Sequence, residues 1–230
     1  METIFKNKAH TILLYYTSID EVSDPKTLDV FLKKLPLELQ LKNQRFKFLK
    51  DRQAHVLGRM LLHSGIKALK NIDCLNLVNY NEYGKPIISD LDIHFNISHS
   101  GEIVCCAFSI QSNIGVDVEQ KKNIDYKDLL TSFNKEEQNI IVNSDDSFTN
   151  FYNYWVKREA IIKAGGKGFF SEYKDIKFFD NHVFLEGVKT YIEKIRIHHD
   201  YTGYLATDLP VDFMIVEYLN AEEIEKSFEK

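Results

Sequence analysis

The segment NIGVDVE, residues 113–119, sets two carboxylates two residues apart. Ile114, Val116 and Val118 alternate with Gly115, Asp117 and Glu119, which is the period of a β-strand. Asp117 and Glu119 therefore leave the strand on one face, opposite the apolar set. Carboxylates that close repel each other and need a cation or open water. A third acid, Glu159, lies in a helical stretch from Phe148 to Gly165. Phe148, Phe151, Tyr152, Trp155 and Ile162 form an apolar stripe there, and Glu159 falls on it, four residues after Trp155. A carboxylate turned toward a core needs compensation. Two arrangements supply it. Lys163, one turn on, can pair with Glu159 while Asp117 and Glu119 stay solvated. Alternatively, the three acids share a metal. Hard oxygen donors without His or Cys suit magnesium, which keeps some waters and commonly also binds a phosphate.

Two further stretches carry polar groups beyond ordinary need. In AIIKAGGKGF, Lys163 and Lys167 flank a Gly-Gly pair. They can serve the helix dipole or an anionic ligand. In FNISHSGEIVCCAFS, residues 95–109, a strand-like alternation is interrupted by Asn96, Ser98, His99, Ser100 and Gly101. That set is a polar knot between two strands, more polar than a plain hairpin needs. His99 can either complete a local network or meet a ligand. Neither GxxxxGK[ST] nor GxGxxG occurs, so a Walker loop and a Rossmann dinucleotide site are not supported.

The elements that must position these residues read as two similar halves. In the first, TILLYYT is a strand and Asp24-Pro25 starts a helix. Pro36 interrupts the helical text, which then runs from Leu37 to about Leu69, with Gly65 weakening or ending a helix. CLNLVNY, IHFNIS and IVCCAFS are strand-like, with a turn in NEYGKP. The second half has a strand at 114–119 and helical DYKDLLTSF, KEEQNIIVN and SFTNFYNYWVKREAIIKAGG. Strand-like DIKFFD, HVFLEGV, YIEKIRIHH, YTGYLATD and VDFMIVEYL follow. The expected fold is α+β, with two lobes in a pseudo-two-fold arrangement, each a small antiparallel sheet packed with helices. The expected boundary divides residues 1–112 from 113–230.

The chain has 230 residues, 44% of them hydrophobic, which is ample for a core of this kind. A formal net charge of −5 argues against general attraction to nucleic acid or anionic membrane. The first residues do not read as a signal peptide, and no apolar run approaches a membrane span. Cys74, Cys105 and Cys106 are odd in number and two are adjacent, which fits a reducing, cytoplasmic compartment.

Taken together these segments resemble the Sfp-type 4′-phosphopantetheinyl transferases. EYGKP at 82–86 and HFNISHSG at 94–101 look like that family's first blocks. IGVDVE resembles its D-x-E block, and YWVKREAIIKAGGKGF at 154–169 its W-x-x-K-E-x-x-x-K block. DRQAHVLGRMLL at 51–62 resembles an upstream helix. Where the family usually has Lys before the motif glutamate, this chain has Arg158. A planar fork thus replaces a point charge.

The resemblance implies transfer of the phosphopantetheine arm of coenzyme A to a serine of an acyl or peptidyl carrier protein, with release of adenosine 3′,5′-bisphosphate. It implies Mg2+ held by Asp117, Glu119 and Glu159, with Lys163 on the pyrophosphate. Lys85, Pro86, Ser98 and His99 would contact the coenzyme, with Asn96, Ser98 and His99 in a turn of donors facing the nucleotide and Gly101 letting the chain reverse. Lys42, Arg45, Arg52 and His55 are the cations available for its 3′-phosphate. The serine proton would pass to Glu159, to a metal-bound water or to Glu137. The segment 121–142, with Lys121, Lys122, Lys127, Leu129, Leu130, Phe133, Ile140 and Ile141, would dock the carrier or else pack inward. The two-lobed members imply a monomer. The rival readings are a magnesium-dependent phosphohydrolase and a non-catalytic relative that only binds coenzyme A.

Overall fold

The structure, a computed structural model, describes residues 9–166, 176–179, 181–185 and 187–229. Its first half runs β1 (Thr11–Ser18), α1 (Pro25–Lys34), α2 (Leu37–Gln44), α3 (Leu49–Lys70), β2 (Asn79–Tyr80), β3 (Pro86–Ile87), β4 (His94–Ser100) and β5 (Ile103–Ser109). The second runs β6 (Ile114–Gln120), α4 (Lys135–Val142), α5 (Ser147–Gly165), β7 (Lys177–Phe178), β8 (His182–Leu185), β9 (Val188–Ile195), β10 (Tyr201–Thr207), β11 (Phe213–Tyr218) and α6 (Ala221–Lys226). Asp24 caps α1 by accepting from Thr27 N, with Pro25 in the first turn, as the sequence suggests.

Each half repeats one plan: a strand, a long helix, then a hairpin whose second strand pairs antiparallel with the first strand. The first sheet is ordered β11-β1-β5-β4 and the second β6-β10-β9-β8-β7. One feature departs from the division at residue 112. β11 leaves the second half and pairs with β1, parallel, from Thr11↔Phe213 to Tyr16↔Tyr218. The short α6 follows it and packs against α3.

Period-two alternation sorts the core into layers. Leu13 and Tyr15 of β1, with Val104, Cys106 and Phe108 of β5, face α3, where Leu57, Met60, Leu61 and Ile66 meet them. Ile12 and Leu14, with Cys105 and Ala107, face the other way, onto Ile114, Val116 and Val118 of β6 and Leu205 of β10. The far side of the second sheet carries α5 through Val156, Ala160, Ile161 and Ala164. The order is helix, sheet, sheet, helix. All three cysteines are buried and reduced.

Several local expectations are corrected. Gly65 does not end a helix, because α3 continues to Lys70. A Cβ there would fall 2.1 Å from the Phe108 ring, so the glycine makes room for an aromatic that fills the core. CLNLVNY gives only the two residues of β2, DLLTS is a 3-10 turn, and HVFLEGV bends at Gly187 between β8 and β9. Among the described residues, no helix is long and apolar enough to cross a membrane. Lys167 lies outside the described residues.

Candidate active site at the seam of the two sheets

β4 ends one sheet and β6 ends the other, and the two edges lie side by side. An edge strand leaves every second N–H unpaired. Here those of β6 are taken by side chains. Val116 N donates to Asn96 Oδ1 at 2.9 Å, Val118 N to Ser98 Oγ at 3.3 Å and Gln120 N to Ser100 Oγ at 3.1 Å. The offset is 20 residues at each rung, so β4 and β6 run parallel. This is what the polar residues of NISHS do, and it corrects the expected turn of donors. Asn96, Ser98 and His99 stand in a strand, and the chain reverses only at Gly101, φ 57°.

The other strand face of β6 carries Gly115, Asp117 and Glu119 and looks at α5. A Cβ on Gly115 would sit 2.1 Å from Ala160 O and 2.3 Å from Ala164 N. The glycine therefore lets α5 lie directly on the strand, which brings Glu159 and Lys163 over the two acids. Asp117 is buried. Its Oδ1 accepts from Lys163 Nζ at 2.6 Å and from Ser98 Oγ at 2.9 Å. Its Oδ2 is buried with no hydrogen-bond partner among the described residues. Glu119 Oε2 accepts from Ser100 Oγ at 2.5 Å. Lys163 thus pairs across to β6 rather than with Glu159 on its own helix.

Glu159 is half-buried, and its carboxyl is pushed up to about 7, first by burial and then by the Asp117 charge, against Lys163. Burial also raises Glu119, opposed by its hydrogen bond from Ser100. Three carboxyl groups thus crowd around the ammonium of Lys163, and the Asp117 charge raises the proton affinity of Glu119 and Glu159. The oxygens of the three do not all lie within 4.8 Å of one another. Among the described residues that closeness is found only for the exposed His198, His199 and Asp200. The donor set still suits a hard divalent cation, because the orphaned Oδ2 of Asp117 is an acceptor already desolvated and waiting for one.

Lys85 has a different place from the one expected. Its ammonium donates to Lys163 O at 2.7 Å, Ile114 O at 3.1 Å and Ala164 O at 3.3 Å, so its three protons are all engaged. Burial lowers it to about 8. Asn81 Nδ2 adds a bond to Gly166 O at 2.9 Å. The EYGKP hairpin therefore caps the carbonyl end of α5 and ties it to the start of β6. Pro86 lines, with Tyr83, Lys85, Glu159, Ile162 and Lys163, a cavity of about 250 Å³. Ser98 is buried. Its one donor and two acceptor positions are filled by Asp117, Val118 N and Lys163, so it holds the site rather than facing a ligand.

His99 points to solvent from β4, yet the surrounding protein and Lys163 lower its imidazole, with Asp51 and Asp117 opposing. It leads to a second cluster. His55 is pushed down to about 4 by burial, then by Arg59, Lys42 and His99. His55 Nδ1 meets Asn43 Nδ2 at 3.2 Å, and Arg52 Nε donates to Asn43 Oδ1 at 3.3 Å. Arg59 donates through Nη2 to Tyr80 OH at 2.9 Å, and the Lys42 ammonium sits 5.2 Å over the Tyr80 ring. His55 Nε2 and Arg59 Nη1 are both buried without a partner among the described residues. Lys42, Arg52 and His55 stand in this cluster with Arg59, while Arg45 lies exposed at the end of α2. Arg59 and Tyr80 were missed. The signal was available for Arg59, which follows His55 by four residues on one helix face.

Glu137 is not free to take a proton. It is buried and accepts from Arg158 through both oxygens, Nε to Oε1 at 3.0 Å and Nη2 to Oε2 at 2.5 Å, and from Asn134 N at 2.8 Å in a capping box. This explains the departure at Arg158. The guanidinium forks onto Glu137 and reaches Ser132 O at 3.1 Å, which an ammonium cannot match. In the 121–142 segment, Phe133 and Ile141 are buried against Phe151 and Tyr152, and Leu129 and Leu130 are partly so. Ile140 alone of the named apolar set is exposed.

Comparison with known proteins agrees with this geometry. A family model described as the 4′-phosphopantetheinyl transferase superfamily matches residues 113–207, and one described as 4′-phosphopantetheinyl transferase, N-terminal, matches 23–111. The chain is 35% identical over 159 residues to the 4′-phosphopantetheinyl transferase Sfp of Bacillus subtilis, covering 67% of this chain and 70% of that one. It is 38% identical over 130 residues to the transferase gsp of Aneurinibacillus migulanus, 55% of this chain and 54% of that one. A mouse L-aminoadipate-semialdehyde dehydrogenase-phosphopantetheinyl transferase is 26% identical over 152 residues, 58% of this chain and 49% of that one. The chain belongs to the 4′-phosphopantetheinyl transferase superfamily.

Proposed function

We propose that this protein moves the 4′-phosphopantetheine arm of coenzyme A onto a serine hydroxyl of an apo acyl or peptidyl carrier protein. The serine oxygen bonds to the β-phosphorus, the bond from that phosphorus to the bridging oxygen breaks, and adenosine 3′,5′-bisphosphate leaves. The observation that carries this reading is the buried, partnerless Oδ2 of Asp117 beside Glu119, Glu159 and Lys163.

Asp117, Glu119 and Glu159 would hold Mg2+. Once bound, it offsets charge on the pyrophosphate oxygens. Lys163 neutralises the same group and is oriented for it by Asp117 and Ser98. Glu159 takes the serine proton on a carboxylate oxygen. Its carboxylate stands beside Lys163 and Asp117, whereas Glu137 is occupied by Arg158. His55, Arg59, Lys42 and Arg52 receive the 3′-phosphate, His55 and Arg59 through their unpartnered nitrogens. His99 lies between the two clusters.

The carrier approaches over the 121–142 face, where its cations suit an acidic partner. The net charge of −5 supports the absence of a nucleic-acid role, and the buried free cysteines support a cytoplasmic one. We read the working form as a monomer with two lobes, 1–112 and 113–230, the second lending β11 to the first.

The test is incubation of the protein, coenzyme A and Mg2+ with and without apo-carrier domains. A carrier mass gain of one phosphopantetheine arm is the expected result. Turnover of coenzyme A without any carrier would identify a phosphohydrolase instead, and binding without turnover a non-catalytic relative.

A further inference from the structure

The rungs between β4 and β6 do two things with the same oxygen atoms. Ser98 Oγ accepts from Val118 N and donates to Asp117. Ser100 Oγ accepts from Gln120 N and donates to Glu119. Each hydroxyl therefore stands on the first sheet, fastens the edge of the second, and fixes the carboxylate one residue back along that edge. The spacing makes this possible. Side chains two apart on β4 meet backbone amides two apart on β6, at the same offset throughout, and the acids occupy the intervening residues. A direct backbone ladder would satisfy the amides but leave the acids without their donors. Ser100 is only half-buried, yet its bond to Glu119 is among the shortest in the site.

We propose that Ser100 is a positioning residue that holds Glu119 ready for a divalent cation, so that the fastening of the two sheets and the shape of the metal site are a single device. This rests on the metal reading above. A donor that orients a ligating carboxylate typically contributes ten- to a hundred-fold to metal affinity.

The experiment uses Mn2+ alone as the probe, on the full chain without coenzyme A. Dissociation constants are measured by electron paramagnetic resonance for the parent, Ser100→Ala and Ser100→Thr, with amide hydrogen exchange at Gln120. Ser100→Ala should weaken Mn2+ binding about ten-fold and speed exchange at Gln120. Ser100→Thr, which keeps the hydroxyl, should restore both. A parent that binds no Mn2+ would remove the metal reading and this proposal with it. A parent that binds while Ser100→Ala binds equally well, or while Ser100→Thr is as impaired as Ser100→Ala, overturns this proposal alone. Should Ser100→Ala fold poorly, the comparison of Ser100→Thr with the parent still decides, since equal Mn2+ affinity and equal Gln120 exchange are required of it.

Discussion

Lys163 holds one oxygen of Asp117 at 2.6 Å while the other oxygen of the same carboxylate has no partner. A buried acceptor left open costs about 1–3 kcal/mol, so the fold carries a local penalty that a bound cation relieves. Asp117→Asn should remove Mn2+ binding and lower kcat at least a hundred-fold. Its melting temperature should fall, because the buried amide still places a polar group without a partner where Oδ2 was and takes away the nearest counter-charge of Lys163. Transfer at the parental rate would end the metal account.

His55 supplies a pH dependence with a definite sign. Its folded pKa, about 4, lies below the ordinary 6.5, so between those values the unfolded chain binds more protons. Stability is therefore full above about 6.5 and falls as pH drops toward 4, by roughly 2–3 kcal/mol for a shift of this size. His55→Gln should flatten the parental loss between those limits in urea titrations. Adenosine 3′,5′-bisphosphate should raise the imidazole pKa by placing a dianion beside it, seen in the ring proton shifts.

Glu137 and Arg158 are a buried bidentate pair, and breaking one member of such a pair costs about 3–5 kcal/mol. Glu137→Gln should lower stability by that order yet keep kcat within a few-fold below its melting temperature. A thousand-fold fall in kcat with intact folding would return Glu137 to the chemistry. Arg158→Lys should lose the fork and cost roughly 1–3 kcal/mol.

For Lys85 the two possible roles separate cleanly. As the cap of α5 it stabilises three carbonyls, so Lys85→Met should cost about 1–3 kcal/mol and lower kcat with little change in KM for coenzyme A. Direct phosphate binding would instead raise KM strongly at unchanged stability.

Much of this was legible in the sequence. The alternation of NIGVDVE gave the face shared by Asp117 and Glu119, because it follows from backbone period alone. The stripe drawn through Phe148, Phe151, Tyr152, Trp155 and Ile162, by contrast, missed the face of α5 that meets the sheet, which is Val156, Ala160, Ile161 and Ala164. Arg158 was noticed as a departure, but its partner was not, since Glu137 is 21 residues away and joins it only through tertiary packing. Lys85 and Ser98 were assigned to a ligand because composition shows a donor without showing what it already serves. β11 was foreseen as a strand, but its placement beside β1 depends on a long-range parallel pairing that no local pattern reports.

That last pairing has a consequence for how the protein is made. β1 is synthesised long before its neighbour β11, with Thr11 opposite Phe213. On the ribosome that strand must keep one flank bare until β11 has emerged, so the first lobe cannot finish folding before the second has been synthesised.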